Sequence, residues 1–143
     1  MKLTLIRGIP GSGKSTRAEE IQDSNAVICE ADDFFNMNDG TYKFDPKHLD
    51  DAHKLCQAEA AYFLFRGNNV IVSNTSIYMR DIKTYWLIAK KYGAEFEIIN
   101  CVADYGSIHD VPGMIMDKMA SAFVPITTED WNKHVLKHGM EEA

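Results

Sequence analysis

The stretch Gly8-Ile9-Pro10-Gly11-Ser12-Gly13-Lys14-Ser15 decides the fold. It matches G-x-x-x-x-G-K-[ST], the phosphate-binding P-loop. Glycines at 8, 11 and 13 allow positive φ and let the backbone come close to a ligand. Successive N–H groups then point inward as an anion nest, and the helix starting near Gly13 adds its positive end. Lys14 is spaced to reach β- and γ-phosphates, and the Ser15 hydroxyl to ligate Mg²⁺. The candidate nucleotide-binding residues are therefore Gly8, Ile9, Pro10, Gly11, Ser12, Gly13, Lys14, Ser15 and Thr16. The implied ligands are ATP, or another nucleoside triphosphate, and Mg²⁺.

Both flanks support the motif. Lys2-Leu3-Thr4-Leu5-Ile6 is a short β-rich run that reads as a buried strand. Ser15 to Gln22 reads as a helix with Ala18 and Ile21 facing inward. Strand, glycine loop, helix is the context the motif requires, and an ordinary Gly-rich turn accounts for less of it.

The chain of 143 residues is long enough for one domain, 1–143, with a real core. No apolar run approaches the length of a membrane span, and no signal peptide is visible. Cys29, Cys56 and Cys101 are odd in number and lack C-x-x-C spacing, so reduced thiols in a cytoplasm are the expectation. A net charge of −6 argues against broad non-specific nucleic-acid binding, leaving room for a local basic groove.

Downstream, Ala26 to Cys29 reads as a second buried strand, ending in Glu30-Ala31-Asp32-Asp33-Phe34-Phe35. In a parallel α/β sheet the site lies beyond the carboxyl ends of the strands, which brings these acids near the P-loop. A carboxylate there could accept a proton from an attacking hydroxyl or hold Mg²⁺ through water; equally, Asp32 or Asp33 could cap a helical turn. Asn38-Asp39-Gly40 is a turn signal. Pro46 opens a helix to about Phe65, with Leu49, Ala52, Cys56, Ala60 and Phe63 as its apolar stripe. Asn69 to Val72 is a third strand, followed by Ser73-Asn74-Thr75-Ser76, where P-loop enzymes usually carry an acid and this chain carries none. Arg80 to Tyr92 is a helix with Ile82, Trp86 and Ala89 on one side, and Glu95 to Val102 a fourth strand. Met114, Ile115, Met116 and Met119 mark a short helix in the position of a lid. Thr127-Thr128-Glu129-Asp130 caps a last helix, whose His134 and His138 read as a solvated face rather than a metal pair.

The chain resembles the polynucleotide-kinase-like branch of P-loop kinases and ATPases, as in phage-type 5′-polynucleotide kinases. The resemblance rests on Gly8 to Thr16, on Ala31-Asp32-Asp33-Phe34-Phe35, on Tyr42, Phe44, Asp45 and Pro46, on Val70-Ile71-Val72 with Asn74-Thr75, and on His109, Val111 and Pro112. It implies a three-layer α/β fold with about four parallel strands and a helical lid. It implies Lys14 and Asp32 as catalytic residues, Asp32 being the base toward a 5′-hydroxyl, and Ser15 with Asp32 at the metal. Similar proteins carry lid arginines, whereas Ala103 to Ala122 here contains none, its basic residues being His109 and Lys118. The arginines of this chain are Arg7, Arg17, Arg66 and Arg80, of which Arg17 and Arg80 lie nearest the expected site. The leading expectation is an ATP- and Mg²⁺-dependent phosphotransferase acting on a nucleic-acid 5′ end. A kinase for a small metabolite or nucleoside, and a nucleotide-binding interaction module with weak ATPase activity, stand as alternatives.

Overall fold

The computed structural model describes residues 1–36, 40–102 and 113–140. The elements in order are β1 (Lys2–Arg7), α1 (Lys14–Ile21), β2 (Ala26–Cys29), a 3-10 turn (Ala31–Phe35), a second 3-10 turn (Pro46–His48), α2 (Leu49–Phe65), β3 (Asn69–Ser73), α3 (Met79–Lys91), β4 (Glu95–Asn100), α4 (Gly113–Ala122) and α5 (Thr128–Lys137). The strands form one parallel sheet in the order β2-β3-β1-β4. β1 is therefore central, with Leu5 opposite both Val72 and Ile98.

A central parallel strand is covered on both faces, so it must be apolar on both. Leu3 and Leu5 face a large core with Val70, Val72 and Ile98, closed by Ala52, Cys56, Ala60 and Leu64 of α2, Ile82 and Trp86 of α3, and Trp131 of α5. Ile6 and Ile71 face the other way and pack under Ala18 of α1. The result is the expected three-layer α/β P-loop kinase-like fold, and every strand ends at the edge where the glycine loop begins.

Two boundaries and one apolar stripe differ from the sequence reading. Pro46 opens a 3-10 turn, with the Asp45 side chain accepting from Lys47 N, and the α-helix starts at Leu49. Its buried stripe is Ala52, Cys56, Ala60 and Leu64, whereas Leu49 is exposed and Phe63 half-buried. Steps of four residues, small in three cases, bring this helix close to the sheet. β4 stops at Asn100, and Val102 is exposed. At the other end of the chain the capping expectation holds: Thr127 Oγ1 accepts from Asp130 N, and the Asp130 carboxylate from Thr127 N.

Arg7, the last residue of β1, is completely buried. Its Nε and Nη2 donate to the carbonyls of Ser76 and Ile77, and its Nη1 to Asn100 Oδ1 and the Val124 carbonyl, at 2.8–3.0 Å. The guanidinium also lies 4.4 Å from the centre of the Phe123 ring. It thus ties the loop after β3, the end of β4 and the chain leaving α4 to the end of β1. Arg7→Met strands these acceptors, each at a cost of about 1–3 kcal/mol. Urea unfolding followed by tryptophan fluorescence is expected to show a loss of at least about 3 kcal/mol.

Candidate nucleotide and phosphoryl-transfer site

The loop between β1 and α1 takes the predicted form with one correction. Gly11 and Gly13 are left-handed, with φ of 79° and 91°. Gly8 is not; it is needed for space, since a Cβ there would lie 2.5 Å from the Cys101 carbonyl oxygen and against Ser12 Oγ. Gly13 caps α1 without any side-chain hydrogen bond, so the first-turn N–H groups of α1 receive no side-chain cap. The Ser12 hydroxyl is buried without a hydrogen-bond partner among the described residues. Unmet donors at a helix N-terminus suit an anion.

Lys14 folds back over the loop, its Nζ donating to the Ile9 carbonyl at 3.0 Å. Burial lowers its pKa, and Cys101, Asp32 and Glu30 oppose that shift. Two acids from the end of β2 therefore act on the P-loop lysine, as the sheet-edge argument expects. Ser15 Oγ donates to Glu30 Oε1 at 2.9 Å. Burial raises the Glu30 pKa, as do Asp33 and Asp32, while hydrogen bonds from Ser15 and Ser73 lower it.

The adjacent aspartates face different surroundings. Asp32 is exposed, and its Oδ1 accepts from the Tyr42 hydroxyl at 3.3 Å. Burial, then Asp32, pushes the Tyr42 pKa up to about 12, which keeps this phenol a donor. Asp33 accepts from Asn36 Nδ2 and lines a cleft of about 80 Å³ between the first 3-10 turn and α2, together with Glu30, Phe34, Leu55 and Glu59.

Asn74, at the exit of β3, is buried. Its Oδ1 accepts from Ala31 N at 2.8 Å, and its Nδ2 donates to the Tyr85 hydroxyl and Cys56 Sγ. The amide fixes the backbone that precedes Asp32, a task that requires both a donor and an acceptor. The sequence reading did not single out Glu30, Asn74 and Tyr42 as site residues. Glu30 is the first acid after β2, a signal that was visible, but its contact with Ser15 depends on strand order.

Of the four arginines, Arg7 is consumed by the fold. Arg17 is exposed and pairs with Glu20 at 3.3 Å; Arg66 lies by the Tyr62 ring and Arg80 over that of Tyr78. Lys118 is an exposed residue of α4, and His109, Val111 and Pro112 lie outside the described residues, as do Asn38 and Asp39. His134 stacks on Trp131 and neighbours His138. Among the described residues no three His, Cys, Asp or Glu side chains converge as a metal cage, and no helix is long and apolar enough to cross a membrane.

These features define a P-loop α/β domain of the kinase-like type. The chain belongs to the family described as AAA domain, which it matches over residues 3–109. Human NEDD4-binding protein 2 is 39% identical over 93 residues, covering 63% of this chain and 5% of that protein. The chain thus spans about one-twentieth of that relative. A chain in the structure of the Pnkp1/Rnl/Hen1 complex superposes with a TM-score of 0.59 at 27% identity, over 82% of this chain and 38% of that one. The APS kinase CysC of Mycobacterium tuberculosis gives a TM-score of 0.57 over 85% of this chain and 95% of its own; at 15% identity the likeness is of fold.

Gly8→Ala tests the loop directly. The added methyl meets a backbone carbonyl that cannot swing away, so the loop itself must shift. ATP binding by calorimetry is expected to weaken roughly tenfold or more, with a stability loss of about 1–3 kcal/mol.

Proposed function

We propose that this chain is an ATP- and Mg²⁺-dependent phosphotransferase acting on a hydroxyl, with a polynucleotide 5′ end as acceptor. The observation that carries the reading is the convergence of Lys14, Ser15, Glu30 and Asp32 at the carboxyl edge of the sheet, beside a helix N-terminus that no side chain caps. Residues 8–16 hold the triphosphate. Lys14 leaves the Ile9 carbonyl and meets the β- and γ-phosphates. Asp32, exposed and held by Tyr42, accepts the proton of the attacking hydroxyl. The Ser15 hydroxyl and neighbouring carboxylates are hard oxygen donors that suit Mg²⁺, an ion that keeps several waters and needs few protein ligands. Mg²⁺, when bound, neutralises charge building on the phosphate oxygens.

The nucleic-acid acceptor is supported by the sequence resemblance and by the likeness to a chain of the Pnkp1/Rnl/Hen1 complex, which is described as an RNA repair complex. A second reading has one observation in its favour: the cleft beside Asp33 carries Glu30 and Glu59 as well, a lining that favours a neutral or cationic small hydroxyl compound over a polyanion. A transfer assay from labelled ATP to 5′-hydroxyl oligonucleotides, to nucleosides and to no acceptor separates the two from a module with weak ATPase activity.

Lys14→Ala is expected to weaken ATP binding at least roughly tenfold, about 1.4 kcal/mol. Unchanged affinity and turnover in the folded variant would remove the basis of the proposal. Asp32→Asn is expected to lower the transfer rate roughly 10²–10⁴-fold with ATP affinity nearly unchanged, because it removes a proton acceptor and no phosphate ligand. An inactive Asp33→Asn beside a fully active Asp32→Asn would reverse the assignment.

A further inference from the structure

The end of β3, where P-loop enzymes usually carry an acid beside the metal-binding hydroxyl, holds Ser73 and Asn74. Asn74 is committed to Ala31, Tyr85 and Cys56. A carboxylate in its place would be buried and would lose both donor contacts. The hydroxyl of Ser15 nevertheless touches a carboxylate. That carboxylate is Glu30, which arrives from β2, one strand further from β1. Ser73, a small hydroxyl residue, is the last residue of β3, the strand between β2 and β1. Neighbouring strands lie about 4.8 Å apart, and Glu carries one methylene more than Asp with which to cross that gap.

We infer that Glu30 supplies from β2 the carboxylate missing at the end of β3, and that it holds the divalent cation together with Ser15. This rests on the Mg²⁺-dependent nucleotide reading above. It assigns two jobs to the stretch after β2: Glu30 faces Ser15 and the metal, and Asp32, two residues on, faces the acceptor.

The test uses Mn²⁺ as the probe on the full chain. Mn²⁺ affinity in the presence of AMP-PNP is measured by electron paramagnetic resonance, and AMP-PNP affinity in EDTA by calorimetry. Glu30→Gln is expected to weaken Mn²⁺ roughly 10–100-fold, the range typical of groups that support a metal site, and to leave metal-free AMP-PNP binding within about threefold. A smaller loss of Mn²⁺ affinity, or an equal loss with and without metal, overturns the inference, because Glu30 would then only support the loop. Should Glu30→Gln fail to fold, Glu30→Asp carries the test. Its shorter reach is expected to weaken Mn²⁺ at least about threefold, and an unchanged affinity overturns the inference equally. Wild-type protein whose AMP-PNP binding gains nothing from Mn²⁺ would instead remove the nucleotide–metal reading on which this one stands.

Discussion

The carboxyl edge of the sheet depends on a buried positive charge that, among the described residues, has no carboxylate in direct contact. Arg7 is fully enclosed, and its direct partners among the described residues are three backbone carbonyls, one side-chain amide and one aromatic face. Burial lowers its pKa, and Asp81 acts in the opposite sense. A guanidinium meets this situation well, because its N–H groups fan out in one plane and it is less strongly hydrated than an ammonium. The consequence is geometric. The loop after β3, the end of β4 and the chain leaving α4 are all referred to the last residue of β1, and the P-loop begins at the next residue.

That arrangement separates what is rigid from what meets a ligand. The backbone around Asp32 is held by Asn74 through Ala31, so the acids after β2 stand on a fixed base. Lys14 is instead satisfied within its own loop, through the Ile9 carbonyl, a contact that a phosphate can replace. α4 is anchored where the chain leaves it, at Phe123 and Val124, yet Met114 and Ile115 at its start are exposed.

The comparisons bear on different levels of this description. The family match, over residues 3–109, takes in the loop and the sheet around it. The APS kinase likeness concerns architecture alone, since a common fold hosts many chemistries. The acceptor must therefore be argued from the surface beside Asp32 and Asp33, where the acidic cleft and the resemblance to polynucleotide kinases point in different directions.

Local chemistry made much of the molecule legible in the sequence. The P-loop with its flanking strand and helix, the capping box at Thr127, the Ile82–Trp86–Ala89 stripe and the four strands follow from spacing and propensity within short windows; the half-burial of β2 and β4 at the two edges of the sheet does not. The start of α2 did not, because a proline fits a 3-10 turn as readily as an α-helix, and the two differ by which residues reach the sheet. Strand order was equally silent. Placing β3 between β1 and β2 is what brings Glu30 from fifteen residues away onto Ser15. The same topology turned Arg7, one of four arginines available to a phosphate, into a structural cation, and gave Asn74 a buried donor–acceptor role. Such pairings join residues up to 117 positions apart, and only the tertiary structure, which sets which strand ends are neighbours, decides them.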